Sequence, residues 1–154
     1  MVQVLTLLAT IAPKSGAALC ALAAGDFQAA GVQGATKPSA NVQEGGASTY
    51  CAYAGKSAAT GGIELDVFYP AGANAAETKA TYETAIGEGG SPLAALKLAG
   101  SDEARWSANA VSGGPPFATI AVRRGNLVFV LGIPTSKSAQ AQLTKLAELV
   151  LKRL

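Results

Sequence analysis

The sequence predicts an α+β fold in which an antiparallel sheet has helices packed on one face and one disulfide. Two β-branched and aromatic runs are joined at Gly125-Asn126, which is typical of a tight hairpin. The segment from Ala139 onward repeats apolar residues at helical spacing. The chain also has two cysteines, Cys20 and Cys51. Its 154 residues suit one domain, residues 1–154, with a sizeable core.

Composition excludes several classes of function. The net charge is +2 and the basic residues are scattered, so the basic stripe of a nucleic-acid binder is missing. The chain contains no histidine, which removes Ser-His-Asp and Cys-His catalysis and His metal sites. We therefore expect no nucleic-acid partner, no metal and no cofactor.

The first residues form an apolar run, from Val2 to Ala12, with the length of a signal-peptide core. No basic residue precedes the run, and Pro13-Lys14 interrupts it before the ~18–20 residues that a spanning helix needs. We expect Val2 to Ile11 to pack as a strand or a helix. Lipidation at Cys20 is not favoured because Leu19 precedes it, so membrane association would need an export or lipid signal not visible here.

The next elements are read from propensity and turn residues. Alanine-rich residues 15–30 predict one helix or two short helices that end at Gly31. Residues 33–48 carry Gly, Pro, Ser and Asn without an apolar period and predict a loop. Residues 50–54 predict a strand, and residues 55–62 a turn.

Residues 62–70 predict the clearest strand of the first half, which Pro70 ends. Alternation divides its side chains between two faces. An apolar face would carry Ile63, Leu65, Val67 and Tyr69, and a partly wet face would carry Glu64, Asp66 and Phe68.

A helix should then begin after Asn74, with Glu77 in the capping-box position, and end at Gly87. Tyr82 and Ile86 lie four residues apart and should face the sheet.

Residues 88–116 are rich in Gly and Pro and predict an irregular segment that contains Trp106. A lone tryptophan in a loop suits core anchoring or ligand contact, and we favour the core because so large an apolar side chain contributes most when buried.

The hairpin at residues 117–134 and a helix capped by Ser136 or Ser138 complete the order helix, strand pair, helix, strand pair, helix. The apolar stripe of this last helix comprises Leu143, Leu146, Ala147, Val150 and Leu154.

The two cysteines allow four roles. A nucleophile lacks a histidine base, a metal site lacks further ligands, and a buried free thiol is compatible with the sequence. We favour a disulfide between Cys20 and Cys51, which would stabilise the fold by at most roughly 3.5 kcal/mol by constraining the unfolded chain. A disulfide predicts an extracytoplasmic protein, periplasmic or secreted.

Five motifs along the chain resemble a known group of proteins. They are "CALAAGDFQAAGV" (20–32), "CAY" (51–53), "GSDEARW" (100–106), "VRRGNLVFVLGI" (122–133) and "LAELVLKRL" (146–154). In that order they resemble small secreted or lipoprotein-type domains of high-GC bacteria. They are also similar to extracellular sensor domains of some mycobacterial kinases.

This resemblance implies a compartment and an antiparallel sheet with helices and disulfides, but no activity. The chain departs from the group's pattern where Ala23-Ala24 replace Leu-Thr and Ser101 replaces a glycine.

The function expected from these features is a non-enzymatic extracytoplasmic binding or sensor module with an unknown ligand. Its groove would lie between the wet face of the sheet and residues 88–116. Alternation sends Tyr53 with Cys51 towards the core, and Tyr50 to the other face. The candidate contacts are therefore Trp106, Tyr50, Phe68, Glu64 and Asp66. The competing interpretation is that the aromatic residues belong to the core and the acids only solvate a surface.

Two other functions suit the sequence. An interaction or inhibitor-like subunit would dock a larger partner through the Gly/Pro-rich loop or an exposed hairpin edge. An enzyme would have to depend on carboxylates such as Glu64 with Asp66, or Asp102 with Glu103, and residue spacing alone is a weak signal for acid and base catalysis. We expect no enzymatic activity.

Overall fold

A computed structural model describes residues 16–43, 48–54, 62–87, 93–110 and 117–154. In these ranges the chain forms a seven-stranded antiparallel sheet and three α-helices. The strands are β1 (Ser39–Val42), β2 (Thr49–Ala52), β3 (Glu64–Phe68), β4 (Ala94–Ala95), β5 (Glu103–Ala110), β6 (Phe117–Arg124) and β7 (Leu127–Pro134). The helices are α1 (Ala24–Ala29), α2 (Ala75–Gly87) and α3 (Ala139–Arg153), and a 3-10 helix at Gly16–Leu19 precedes them.

The strand order is β1-β2-β3-β7-β6-β5-β4. Strands β1 to β3 form one meander and β4 to β7 form another, and α2 lies between them in the chain. The two meanders meet in the middle of the sheet, where β3 pairs with β7 and Leu65 lies opposite Leu131. Among the described strands, β1 and β4 lie at the two edges.

One face of the sheet, the core face, carries the main hydrophobic core. Alternation along β3, β6 and β7 puts buried Leu65, Ile120 and Phe129 on this face. Helix α3 packs on it through Leu143, Leu146, Ala147 and Val150, as its apolar stripe predicts. Helix α1 adds Phe27, whose ring centroid lies 4.6 Å from that of Tyr53.

The opposite face, the α2 face, is covered in part by helix α2. Its Tyr82 is buried against Ala121 and Val128, and the Tyr82 hydroxyl donates to the Ala121 carbonyl at 3.4 Å. The α+β class, the antiparallel sheet and the disulfide are confirmed. The prediction that the helices share one face holds for α1 and α3, whereas α2 packs on the other face, because α1 and α3 fill the core face and α2 has its own buried side chains.

The Cys20–Cys51 disulfide is present, with 5.7 Å between the two Cα atoms. Cys51 is fully buried on the core face, so the bond ties the segment before α1 to strand β2. Tyr53 is also fully buried, and Tyr50 lies on the α2 face as alternation predicts.

Polar contacts from α3 fasten α1 to the domain. Arg153 donates to both carboxylate oxygens of Asp26, at 2.6 and 3.1 Å. Asp26 also accepts the Ala23 backbone N–H within the first turn of α1. Lys145 donates to the carbonyl of Ala29, the last residue of α1. Helix α1 is therefore held by side chains of α3 as well as by its own apolar contacts.

Several local predictions are confirmed. Asn74 accepts the Glu77 backbone N–H at 2.9 Å, as expected for the residue that caps α2. The Glu77 carboxylate accepts the N–H of Ala73 at 2.7 Å, one residue further back than in a capping box. Gly125 has φ of 55° in the hairpin turn. Ser138 is the residue before α3, although its side chain makes no capping hydrogen bond.

Two predicted loops contain strands. Residues 33–48 include β1, and residues 88–116 include β4 and β5. Trp106 therefore lies in a strand, opposite Ile120, and packs against the core. The predicted strand or helix at Val2 to Ile11 lies outside the described residues, as does most of the predicted turn at 55–62.

Candidate functional site

The candidate site lies on the α2 face, where strand β3 carries its polar side chains. Directly paired residues of neighbouring strands point to the same face of a sheet. Asp66 lies opposite Tyr50 on β2 and Val130 on β7, so these three side chains share the α2 face. Glu64 lies opposite Ala52 and Gly132 in the next row. The wet face predicted for β3 is thus confirmed as the face away from the main core.

Gly132 lies in the middle of this face of the sheet. It pairs with Glu64 on one side and with Thr119 on the other. A side chain at this position would stand between those of Glu64 and Thr119. Glycine contributes none to this row.

A cleft of about 200 Å³ occupies this part of the α2 face. Ala85 of α2 borders it from the helix side, and strands β3, β6 and β7 form its floor and walls. The described residues that line it are Glu64, Asp66, Phe68, Ala85, Phe117, Thr119 and Val130. Two carboxylates thus stand on the β3 side, while the remaining lining residues are apolar apart from Thr119, whose hydroxyl donates to the Leu131 carbonyl.

Tyr50 fixes one of the two carboxylates. Its hydroxyl donates to Glu64 Oε2 at 2.5 Å across strands β2 and β3. Burial raises the pKa of Tyr50 well above its ordinary value of 10.0, and the hydrogen bond to Glu64 and the charges of Glu64 and Asp66 raise it further. Tyr50 therefore keeps its proton at neutral pH and holds Glu64 in place beside the cleft.

The structure brings four of the five predicted contact residues together. Tyr50, Glu64, Asp66 and Phe68 lie on the α2 face at or beside the cleft. Trp106 lies opposite Ile120 and so belongs to the core face, away from the other four. Among the described residues, helix α2 borders the cleft through Ala85, and residues 103–110 of the segment predicted to border the groove form strand β5 within the sheet.

Sequence reasoning missed the part of the cleft that comes from the hairpin and the helix. Phe117, Thr119 and Val130 line it from β6 and β7, and Ala85 lines it from α2. The alternation of the hairpin strands places these three hairpin residues on one face. The pairing of β7 with β3, which brings that face beside Glu64, leaves no local mark in the sequence.

The second carboxylate pair considered for catalysis has a structural role. Asp102 accepts the Gly125 backbone N–H at 2.7 Å and lies 3.9 Å from the Arg123 guanidinium. Glu103, the first residue of β5, lies directly opposite Arg123 in the sheet. Asp102 thus fixes the turn of the β6–β7 hairpin. Within the described ranges, no group of three or more Cys, Asp or Glu side chains is placed to hold a metal ion.

The hairpin has no open edge for a partner strand. Strand β6 pairs with β5, and β7 pairs with β3, so both strands are flanked on each side. The prediction of an exposed hairpin edge is therefore wrong, while docking of a larger partner stays a prediction. Of the strands that the structure describes, β1 and β4 lie at the edges of the sheet.

Fold and site together define a disulfide-bonded α+β domain with a lateral cleft between one helix and the sheet. Comparison of the chain with protein-family models, with curated proteins and with solved structures found no match. The resemblance to small secreted domains therefore stays a prediction. Over the residues that the structure covers, none of the helices has the length and apolar character needed to cross a membrane.

Proposed function

We propose that this protein is a non-enzymatic extracytoplasmic binding or sensor module that takes a small organic ligand in the cleft on the α2 face. The observation that carries this proposal is the cleft itself, a depression of about 200 Å³ with carboxylates on one side and apolar residues on the other. Small-molecule sites are concave and mostly apolar, with a few polar groups that fix orientation.

The rigidity of the cleft supports the same function. Its floor consists of the three central strands β3, β7 and β6. Its helix wall is held to the sheet by buried Tyr82, and Glu64 is held by Tyr50. Such a preformed site loses little conformational freedom when a ligand binds.

The extracytoplasmic location is supported by the Cys20–Cys51 disulfide, since disulfides persist in oxidising compartments. Thiol alkylation in intact cells of the source organism, followed by mass spectrometry, tests this location. We expect both cysteines to be protected until a reductant is added. Free alkylation of both thiols in the native protein would contradict the location.

Binding at the cleft can be tested by NMR with a set of ring-containing fragments of different charge. We expect at least one fragment to shift the backbone amide signals of Asp66, Thr119 and Val130. Gly132→Val should abolish these shifts, because the added side chain would stand between Glu64 and Thr119, which both line the cleft. Ala85→Leu fills the cleft from the helix side and provides a second blocking variant if the strand substitution disturbs folding.

Two results would oppose this function. One is that no fragment shifts the cleft signals. The other is that the shifts persist in both folded blocking variants, which would place the binding elsewhere. Ala76→Leu is a matched control, since Ala76 is an exposed residue of the same helix and the substitution adds the same side chain outside the cleft.

A further inference from the structure

We propose that the ligand of this cleft is a protonated amine carried on a small aromatic or similarly compact apolar body. This inference depends on the proposed binding function and assigns a chemical class to the ligand. It is argued from the division of the cleft into a carboxylate side and an apolar side.

The carboxylate side selects a donor group. Glu64 and Asp66 are two residues apart on β3, and both line the cleft. An ionised carboxylate only accepts hydrogen bonds, and its two oxygens offer about four acceptor positions, so it can bind a ligand donor in addition to a protein donor. An ammonium group combines three donors with a positive charge and gives the stronger, charge-assisted hydrogen bonds.

The same side opposes anionic ligands. A ligand carboxylate or phosphate in the cleft would stand beside the side chains of Glu64 and Asp66, and among the described lining residues none is basic. Like charges placed together in a partly desolvated site repel each other. The cleft thus discriminates by charge as well as by shape.

The apolar side sets the size and nature of the rest of the ligand. Phe68, Phe117 and Val130 line the floor and walls, and Ala85 faces them from the helix. From β3 to β6 the floor spans two strand spacings, about 10 Å. The volume of about 200 Å³ is somewhat larger than the ~150 Å³ of an apolar cavity that holds benzene. One ring with a short arm fits this space.

Tyr50 is a positioning residue in this arrangement. Its hydroxyl donates a hydrogen bond to one oxygen of Glu64 and so orients the carboxylate. Glu64 lines the cleft, whereas Tyr50 is not among the lining residues. We expect Tyr50→Phe to weaken amine binding and to leave the binding of a neutral analogue unchanged.

The test compares 2-phenylethylamine with 2-phenylethanol, which have the same ring and arm and differ in the ammonium group. Dissociation constants are measured by NMR titration of the cleft amides at neutral pH. We expect the amine to bind at least about tenfold more tightly than the alcohol, the ratio that one charge-assisted hydrogen bond can provide. Phenylacetate, the anionic analogue, should not shift the cleft signals.

Two variants distinguish the effect of a carboxylate that lines the cleft from the effect of removing a negative charge elsewhere on the protein. Asp66→Asn should remove most of the preference for the amine while the alcohol binds as before. Glu83→Gln is the control, because Glu83 is an exposed carboxylate of α2 that does not line the cleft. This variant should keep the full preference.

The outcomes distinguish the inference from the function on which it depends. If the amine and the alcohol bind equally at the cleft, the amine assignment is overturned and the binding function stands. If phenylacetate binds most tightly, the assignment is overturned in the same way. If none of the three probes shifts the cleft signals, the amine assignment is overturned, and the fragment set then decides the binding function separately.

Discussion

Three of the four tyrosines are placed where ionisation is costly. Burial raises the pKa of Tyr50, Tyr53 and Tyr82 above the ordinary value of 10.0. In the unfolded chain these phenols ionise near pH 10. Their contribution to stability is therefore fully present below pH 10 and is lost as the pH rises towards the folded-state pKa values.

We predict that the free energy of unfolding falls steadily above pH 10, and that Tyr82→Phe makes this fall less steep. The variant removes one phenol whose folded-state pKa is raised, so the unfolded state gains less from alkaline conditions. At pH 7 it should lose about 1 kcal/mol or less, because its hydrogen bond to Ala121 is long. Urea denaturation at pH 7, 9, 10 and 11 checks both statements. An unchanged slope between pH 10 and 11 would contradict the prediction.

Two glycines should respond oppositely to the same substitution. Gly125 has φ of 55°, a left-handed conformation that L-residues with a side chain adopt at a cost, so Gly125→Ala should lower the free energy of unfolding by about 1–2 kcal/mol. Gly25 lies in α1 with open space around the position of an added Cβ, so Gly25→Ala should raise it by about 0.5–1 kcal/mol. Urea denaturation measures the change in the free energy of unfolding for each variant. Changes of the same sign and size would contradict the prediction.

At the scale of elements, the attachment of α1 to α3 contains the best-defined ion pair of the described residues. The hydrogen bond from Arg153 lowers the pKa of Asp26, and the backbone N–H of Ala23 acts in the same direction against the effect of burial. A lowered folded-state pKa gives stability that is present above the unfolded pKa and is lost as the pH falls through the folded pKa.

We predict that Asp26→Asn lowers the free energy of unfolding by about 1 kcal/mol at pH 7, a value kept small because Arg153 is 40% exposed and water screens the pair. The difference from wild type should shrink as the pH falls through the lowered folded-state pKa of Asp26, because the wild-type carboxyl group then also becomes neutral. Denaturation at pH 7 and at a series of acidic pH values measures both. Glu148→Gln, at an exposed carboxylate of α3, is the control and should leave the free energy of unfolding unchanged at each pH. A loss of stability in Asp26→Asn that does not depend on pH would contradict the ion-pair explanation.

Elements with strong periodic patterns could be predicted from the sequence, and others could not. The hairpin, α2 and α3 have alternation or helical spacing together with caps and turn glycines. Strand β1 has four exposed residues and thus no apolar period to detect. Strand β5 does alternate, with Ala104 and Trp106 towards the core and Glu103 and Arg105 away from it. Alanine is a weak strand former, and the glycines and prolines on both sides hide the pattern.

At the scale of the whole molecule, the disulfide cross-links the sheet to the segment that contains the 3-10 helix and α1. We predict that the double variant Cys20→Ala, Cys51→Ala remains folded and loses about 2–4 kcal/mol of unfolding free energy. Wild-type protein with reductant should lose a similar amount.

Hydrogen exchange locates this effect. Without the disulfide, amide exchange should accelerate at residues 16–32 far more than in β6 and β7, whose strands pair with neighbours on both sides. Equal acceleration in both regions would show that the bond stabilises the whole sheet rather than the attachment of its first segment.

The candidate site could be predicted only in part, because it depends on the pairing of strands that are far apart in the chain. The polar face of β3 is visible in its alternation, which identified Glu64, Asp66 and Phe68. The other half of the cleft depends on which strand pairs with β3. No local pattern in the sequence indicates that this strand is β7. The placement of Trp106 in a loop beside the groove is wrong, because its strand leaves no clear pattern in the sequence, whereas its favoured role as a core residue is confirmed.

The central pairing of β3 with β7 also has a kinetic meaning. Each meander can form from contacts between neighbouring strands in the chain, whereas the pairing of Leu65 with Leu131 closes a loop that contains α2 and strands β4 to β6. Until this pairing forms, β3 and β7 each expose an unpaired edge together with apolar side chains that are buried in the folded protein, and such surfaces promote aggregation. Closure of this seam is therefore the contact of highest loop-closure cost in the sheet, and substitutions such as Leu65→Ala should slow folding as well as weaken the fold.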